Sequence, residues 1–252
     1  MVLTIDIGNT KTKVAVFEGE QPVEHIVVEQ INVECIDGLI DRFGVFDNLI
    51  ISSVDAEEEQ RVAELFSEFG LKCHLLSYKS PLPFEIDYLT PETLGKDRIA
   101  ALAGAYAVGG EGNYLVIDCG TCNTYDLLVN GHFVGGNIAP GIQMRLDAMH
   151  HFTAALPQCS IQNAQFTIDK SLGETTKSAI LNGAYCGVIN EINGYIERYS
   201  REYDDLKVVL TGGLFNLQIA DFRLHIVDNN TELLFEPTLV PKGLNYIVNS
   251  LE

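Results

Sequence analysis

No run of about 18 apolar residues occurs in this 252-residue chain, so no membrane-spanning helix is expected. The opening residues, Met1 to Asp6, lack the basic start and cleavage site of a secretory signal peptide. They read as a strand that begins at once, and a cytoplasmic protein is expected. Positive charge is scarce. Sixteen Lys and Arg stand against 35 Asp and Glu, a net charge of -19. A field of that sign repels phosphate backbones, so no nucleic-acid partner is expected. It also makes a triphosphate hard to hold without a local device: a metal ion, backbone N–H groups or a few well-placed cations. Neither G-x-x-x-x-G-K-[ST] nor a strand-linked G-x-G-x-x-G is present. Cys119 and Cys122 form a C-x-x-C, but no second pair or nearby histidine completes a zinc set. The other cysteines are Cys35, Cys73, Cys159 and Cys186, all expected to be reduced thiols. The six histidines show no metal-ligand spacing.

What is present is a globular pattern, 46% hydrophobic and 20% charged, long enough for a sizeable core. Short strands are expected at Leu3 to Ile5, Lys13 to Phe17 and Pro22 to Val28, with a helix over Val33 to Phe43. A buried strand at Asn48 to Ser52 precedes an amphipathic helix over Ala56 to Phe69. Cys73 to Leu76 reads as a strand. Residues 80–93, with Pro81, Pro83 and Pro91, read as a loop, and Asp97 to Val108 as a helix. Tyr114 to Ile117 and Thr124 to Val129 are further strands. Asn130-Gly131 is a hairpin signal leading into His132 to Gly135. Helices are expected over Ile142 to His151, Thr175 to Tyr199 and Lys242 to Leu251, and a strand over Val208 to Leu210.

The pattern restarts halfway. Sliding residues 2–19 onto 114–131 without a gap superposes Leu3 on Leu115, Ile5 on Ile117, Asp6 on Asp118, Gly8 on Gly120, Thr12 on Thr124 and Gly19 on Gly131. The matches fall on the strand core, the acidic end, the glycine and the turn. They imply a duplicated α/β protein with halves 1–112 and 113–252 facing a cleft, where ligands favour binding.

Each half then carries a loop of phosphate-binding type. In Asp6-Ile7-Gly8-Asn9-Thr10-Lys11-Thr12-Lys13, Gly8 lets a ligand approach the backbone, and successive N–H groups can cradle anionic oxygens. Asn9, Thr10 and Thr12 add short polar donors, and Lys13 a point charge. Asp6 would repel phosphate directly, so its chemistry suits a hydrated Mg²⁺ bridging phosphate oxygens. Asp118-Cys119-Gly120-Thr121 repeats strand, acid, glycine and hydroxyl. Thr211-Gly212-Gly213 follows a strand, a weak signal alone. One such loop is equally a polar turn; two are harder to explain that way. By spacing alone, Asp97 reads as the cap of its helix, an acid favouring the positive end.

Together these motifs resemble the superfamily of sugar and acetate kinases, actin and heat-shock chaperones. Within it the chain is similar to the type III pantothenate kinases. Their D-[IV]-G-N-T-x-x-K is matched by Asp6 to Lys13, and their G-x-D-R by Gly95-Lys96-Asp97-Arg98 with Tyr88 before it. Their G-G-x-I-x-P-G is matched by Gly135 to Gly141, and their T-A-x-L-P by Thr153 to Pro157. The resemblance implies duplicated ribonuclease H-like (actin-like ATPase) halves, each a mixed sheet with flanking helices. It also implies ATP-dependent phosphorylation of pantothenate, Mg²⁺, an activating monovalent cation (K⁺ or NH₄⁺) and a homodimer. Carried over by position, Asp97 is the catalytic base. Tyr88, Gly95, Lys96, Arg98 and Thr176 bind pantothenate, the last from across the dimer. Residues Asp6 and Gly8 to Lys13, with Thr121, contact ATP, and Asp118 binds K⁺. Lys96 departs from the family's small residue, Cys122 from a small or hydroxyl residue, and Thr175-Thr176 leaves the alignment open by one position. The rivals are a related small-molecule kinase and a non-catalytic regulatory accessory factor. Retention of Asp6, Asp97 and Asp118 together argues against the latter.

Overall fold

The structure, a computed structural model, describes residues 1–161, 172–213 and 231–251. Two compact units form. One takes in Met1–Tyr114, Leu127–Gly135 and Thr238–Glu252, the other Leu115–Asp126 and Gly136–Pro237.

In the first unit, β1 (Val2–Ile7), β2 (Thr12–Glu18), β3 (Gln21–Val28), β4 (Asn48–Ser53) and β5 (His74–Leu75) form a sheet in the order β3-β2-β1-β4-β5. The β1–β2 and β2–β3 pairs are antiparallel, whereas β1–β4 and β4–β5 are parallel. All six residues of β1 are buried, so both of its faces are covered. Strand alternation assigns those faces. Leu3, Ile5 and Ile7 join a core with Ile36 and Leu39 of α1 (Val33–Phe43) and Val62 and Phe66 of α2 (Ala56–Glu68). Val2, Thr4 and Asp6 point to the opposite face.

Two further helices of this unit are α3 (Lys96–Gly109) and α6 (Leu239–Asn249), and α6 packs on β1 and β4. The alanine-rich α3 meets α6 almost backbone to backbone. A Cβ on Gly104 would lie 2.2 Å from Leu239 O, and one on Gly243 1.8 Å from Ala100 O. No larger residue fits either place without parting the helices. The last helix begins at Leu239, three residues before the expected start. Pro241 sits in its first turn, where a missing N–H costs no helical bond.

The second sheet has the order β11-β10-β7-β8-β9-β6. Its strands are β6 (Glu85–Ile86), β7 (Asn113–Cys119), β8 (Cys122–Val129), β9 (His132–Pro140), β10 (Leu206–Thr211) and β11 (Glu232–Phe235). Read from β9, it runs β9-β8-β7-β10-β11, the same order as the first sheet. The gap-free sequence match of the two halves therefore has a topological counterpart. The β8–β9 turn uses Asn130 (φ 52) and Gly131 (φ 79), the positive-φ pair a tight hairpin requires. In the second unit, α4 (Ile142–His151) packs on α5 (Thr176–Glu202), which also packs on β10. Two strands escaped the sequence reading. β6 lies within the expected loop 80–93, and β11 precedes the last helix. Each is too short to show a period and exists by pairing with a neighbour.

Candidate active site

The first loop hangs between β1 and β2, whose register sets Asp6 opposite Lys13 and Ile7 opposite Thr12. Gly8 N donates to Lys11 O at 3.2 Å, and a Cβ on Gly8 would sit 3.2 Å from that same oxygen. The turn is therefore drawn tightly around a residue with no side chain. Asn9, Thr10 and Lys11 are exposed, while Thr12 is buried. Residues Ile7 to Thr12 line one side of a cleft of about 680 Å³. Glu29, Gln30 and the start of α2 close the other. That helix is capped by Asp55, which accepts from Glu57 N and Glu58 N.

Asp6 is 6% exposed and faces Lys13 Nζ at 3.7 Å. Burial pushes its carboxyl up to about 6, with Asp97 adding to the rise and Lys13 opposing it. Ser52 lies beside Asp6 in the parallel β1–β4 register. Asp6 and Asp97 thus lie close enough to feel one another. This follows from the fold, because Asp6 is on the sheet face away from α1 and α2, and Asp97 heads α3.

Asp97 is half-buried in the first turn of α3, and its Oδ1 accepts from Arg98 N at 2.9 Å. The helix N-cap is Gly95, which supplies no side-chain cap, so Asp97 is not the cap that its spacing suggests but the second residue of the helix. A Cβ there would lie 2.5 Å from Asp97 Oδ1, so the carboxylate occupies space only a glycine leaves. Lys96 turns away from this carboxylate. Its ammonium holds both oxygens of buried Glu59 on α2, at 2.5 and 2.7 Å. The Lys96 side chain is thus committed to Glu59. Arg98 is 5% exposed, with Cζ 5.6 Å from the Tyr88 ring centroid.

In the second unit, two glycine-bearing segments converge on the other loop. Gly141 N donates to Thr121 O at 3.1 Å, and a Cβ on Gly141 would lie 2.4 Å from Gly120 O. Gly212 has φ +102, and a Cβ there would lie 2.5 Å from both Asp118 Oδ1 and Cys119 O. A carboxylate oxygen and a carbonyl oxygen thus gather about one point. Cys119 is buried, and burial pushes its thiol far above the usual range, with Asp118 adding to the rise. At the head of α5, Thr175 takes the cap, accepting from Ser178 N at 3.1 Å, while Ser178 Oγ accepts from Thr175 N at 2.9 Å. Thr176 is the first helical residue and is exposed.

Sequence reasoning missed two features. Glu59 lies on the apolar face of α2 with Val62 and Phe66, and an acid at that spacing was the available signal. Glu85, Asp87 and His132 bring their ligand atoms within 4.8 Å of one another through the β6–β9 pairing. Here they form a surface cluster of two exposed carboxylates and a half-buried histidine. No spacing along the chain announced it. His225 lies outside the described residues.

Comparison with known proteins identifies the family. The profile of the family described as type III pantothenate kinase matches residues 2–198. A type III pantothenate kinase from Flavobacterium johnsoniae is 37% identical over 215 residues, 84% of this chain and 86% of its own. One from Christiangramia forsetii is 35% identical over 250 residues, 98% of each chain. Among solved structures, the ROK hexokinase of Thermus thermophilus shares the fold at a TM-score of 0.57 and 13% identity, covering 98% of this chain and 96% of that one. The fold is α/β with duplicated ribonuclease H-like halves, as in the actin-like ATPases and sugar kinases. The chain belongs to the type III pantothenate kinases.

Proposed function

We propose that this chain transfers the γ-phosphoryl group of ATP to the primary hydroxyl of pantothenate, giving 4'-phosphopantothenate for coenzyme A synthesis. The observation that carries the reading is the Asp97 carboxylate, held in space left by Gly95 and coupled electrostatically to Asp6 of the phosphate loop. ATP is the co-substrate, as membership of a kinase family implies.

In this reading Asp97 takes the proton from the substrate hydroxyl as its oxygen bonds the γ-phosphorus and ADP departs. Such general-base help is worth about 10²–10⁴-fold. Arg98 and Tyr88, with the backbone of Gly95 and Lys96, bind pantothenate, and Arg98 provides the charge that suits its carboxylate. The exposed turn Asn9 to Lys11, which Gly8 lets phosphate approach, offers backbone N–H groups and, with the Lys11 and Lys13 side chains, holds phosphate oxygens, and Thr121 makes a further ATP contact. Asp6 fits an Mg²⁺ held through water. It is a buried carboxylate with a cation no nearer than 3.7 Å among the described residues, and so is short of positive charge. When bound, that ion supplies charge neutralisation to the phosphates. Asp118 Oδ1 and Cys119 O form a hard-oxygen pair that suits K⁺ or NH₄⁺. Thr176, exposed at the head of α5, is the substrate contact offered across a homodimer, since Thr175 is committed to the cap. The two-half division at residues 112 and 113 and a cytoplasmic location belong to the same proposal. Among the described residues no helix is long and apolar enough to cross a membrane.

The test is ADP release with pantothenate and ATP, compared in K⁺ and Na⁺ buffers, against a panel of small hydroxy acids and sugars. Pantothenate-dependent turnover, faster in K⁺, is expected. Asp97→Asn should lower kcat by about 10²-fold or more while ATP binding persists. Near-normal turnover in that variant removes Asp97 as the base. Turnover with another acceptor, and none with pantothenate, removes the substrate.

A further inference from the structure

The expected loop 80–93 is anchored to the start of β9. Glu85 N donates to Gly131 O at 2.9 Å, and Asp87 N to Phe133 O at 3.0 Å. His132 lies beside this pairing, its Nδ1 3.2 Å from Asp87 Oδ2 and 3.8 Å from Glu85 Oε2. Phe133 points the other way and is fully buried. Immediately after the anchor, the Tyr88 ring stacks on the Phe133 ring, with centroids 5.7 Å apart and planes 10° apart. The guanidinium carbon of Arg98 lies 5.6 Å from the Tyr88 centroid and 5.5 Å from that of Phe133.

Phe133 thus shares one cluster with both side chains proposed above to bind pantothenate. An apolar filler would be replaceable by any side chain of similar volume. A stacked pair with a cation over both rings depends on the π faces as well. A guanidinium meant to receive a carboxylate binds better when its plane is set beforehand, because less rotamer freedom is lost on binding.

Resting on the pantothenate reading, we infer that Phe133 is a positioning residue of the substrate subsite, setting Tyr88 and Arg98 for a small carboxylic acid. Phe133→Leu keeps most of the apolar volume and removes the ring. It should raise KM for pantothenate about tenfold, with kcat and KM for ATP within about twofold of wild type. Tyr88→Leu should then cost less in the Phe133→Leu background than alone, because the pair acts as a unit. An unchanged KM for pantothenate, or additive effects in that cycle, overturns the inference. So does an even loss across kcat and both KM values with a lower Tm, the signature of a purely structural role. A wild-type protein that does not phosphorylate pantothenate instead overturns the functional reading, and this inference falls with it.

Discussion

Replacing Gly95 by Ala separates catalysis from folding at this site. Gly95 has φ -58 and ψ 130, a backbone conformation alanine adopts without strain. Two small opposing effects on stability are then expected. Alanine narrows the unfolded ensemble, worth about 0.4–1 kcal/mol in favour of folding. As an N-cap it is worse than glycine by about the same amount. Net stability should stay within about 1 kcal/mol, and Tm within a few degrees. The carboxylate is another matter. The new Cβ would stand 2.5 Å from Asp97 Oδ1, whereas ordinary contact begins near 3.4 Å. The carboxyl must therefore swing by about 1 Å, and a displacement of that size at a reacting group costs about 10²-fold in rate. The assay is paired, with ADP release at saturating pantothenate and ATP alongside a thermal melt. Wild-type kcat in Gly95→Ala would refute the assignment of Asp97 as a base placed by this geometry. A loss of kcat together with a collapse in Tm would refute the steric account.

Asp6 makes the metal-free protein sensitive to pH. Its folded value, about 6, lies above its ordinary value of 3.8, so the folded state binds the proton more tightly. Stability therefore falls as pH rises through that window and stays lower above it, by roughly 3 kcal/mol in all. Denaturant melts of Asp6→Asn at pH 4, 5 and 6 should show a flatter slope than wild type, and the variant should no longer gain Tm from Mg²⁺ with ATP. Identical slopes would contradict the burial argument. Gly212→Ala should be destabilising by more than about 1 kcal/mol, since φ +102 disfavours alanine and the Cβ meets Asp118 and Cys119 at 2.5 Å. It should also weaken the rate advantage of K⁺ over Na⁺, and an unchanged ratio would remove Asp118 from the cation site.

Much of the fold was legible because its signals are local. β1 is an apolar run ending on an acid, α2 has a clean helical period, and Asn130-Gly131 can make little but a tight turn. The repeat was legible because duplication keeps chemistry at fixed spacing, from Asp6 and Gly8 to Asp118 and Gly120. The misses share a cause. Glu85–Ile86 and Glu232–Phe235 are strands only because a neighbour offers hydrogen bonds. The last helix starts at Leu239, before the expected Lys242, because a proline in the first turn is harmless.

The sequence by itself determined that this protein has two related phosphate-type loops, a G-x-D-R segment opening a helix and glycines where backbone must come close. These are properties of residue type and spacing, and covalent order carries them unaltered. Tertiary structure decided the partners. It set Asp6 on the face shared with α3, where burial, and to a lesser degree Asp97, raises its pKa, and it gave Lys96 to Glu59, 37 residues earlier, away from the Asp97 carboxylate. It also brought Phe133 onto Tyr88 and Arg98. Those pairings rest on burial and on contacts between residues distant along the chain, which no local pattern records.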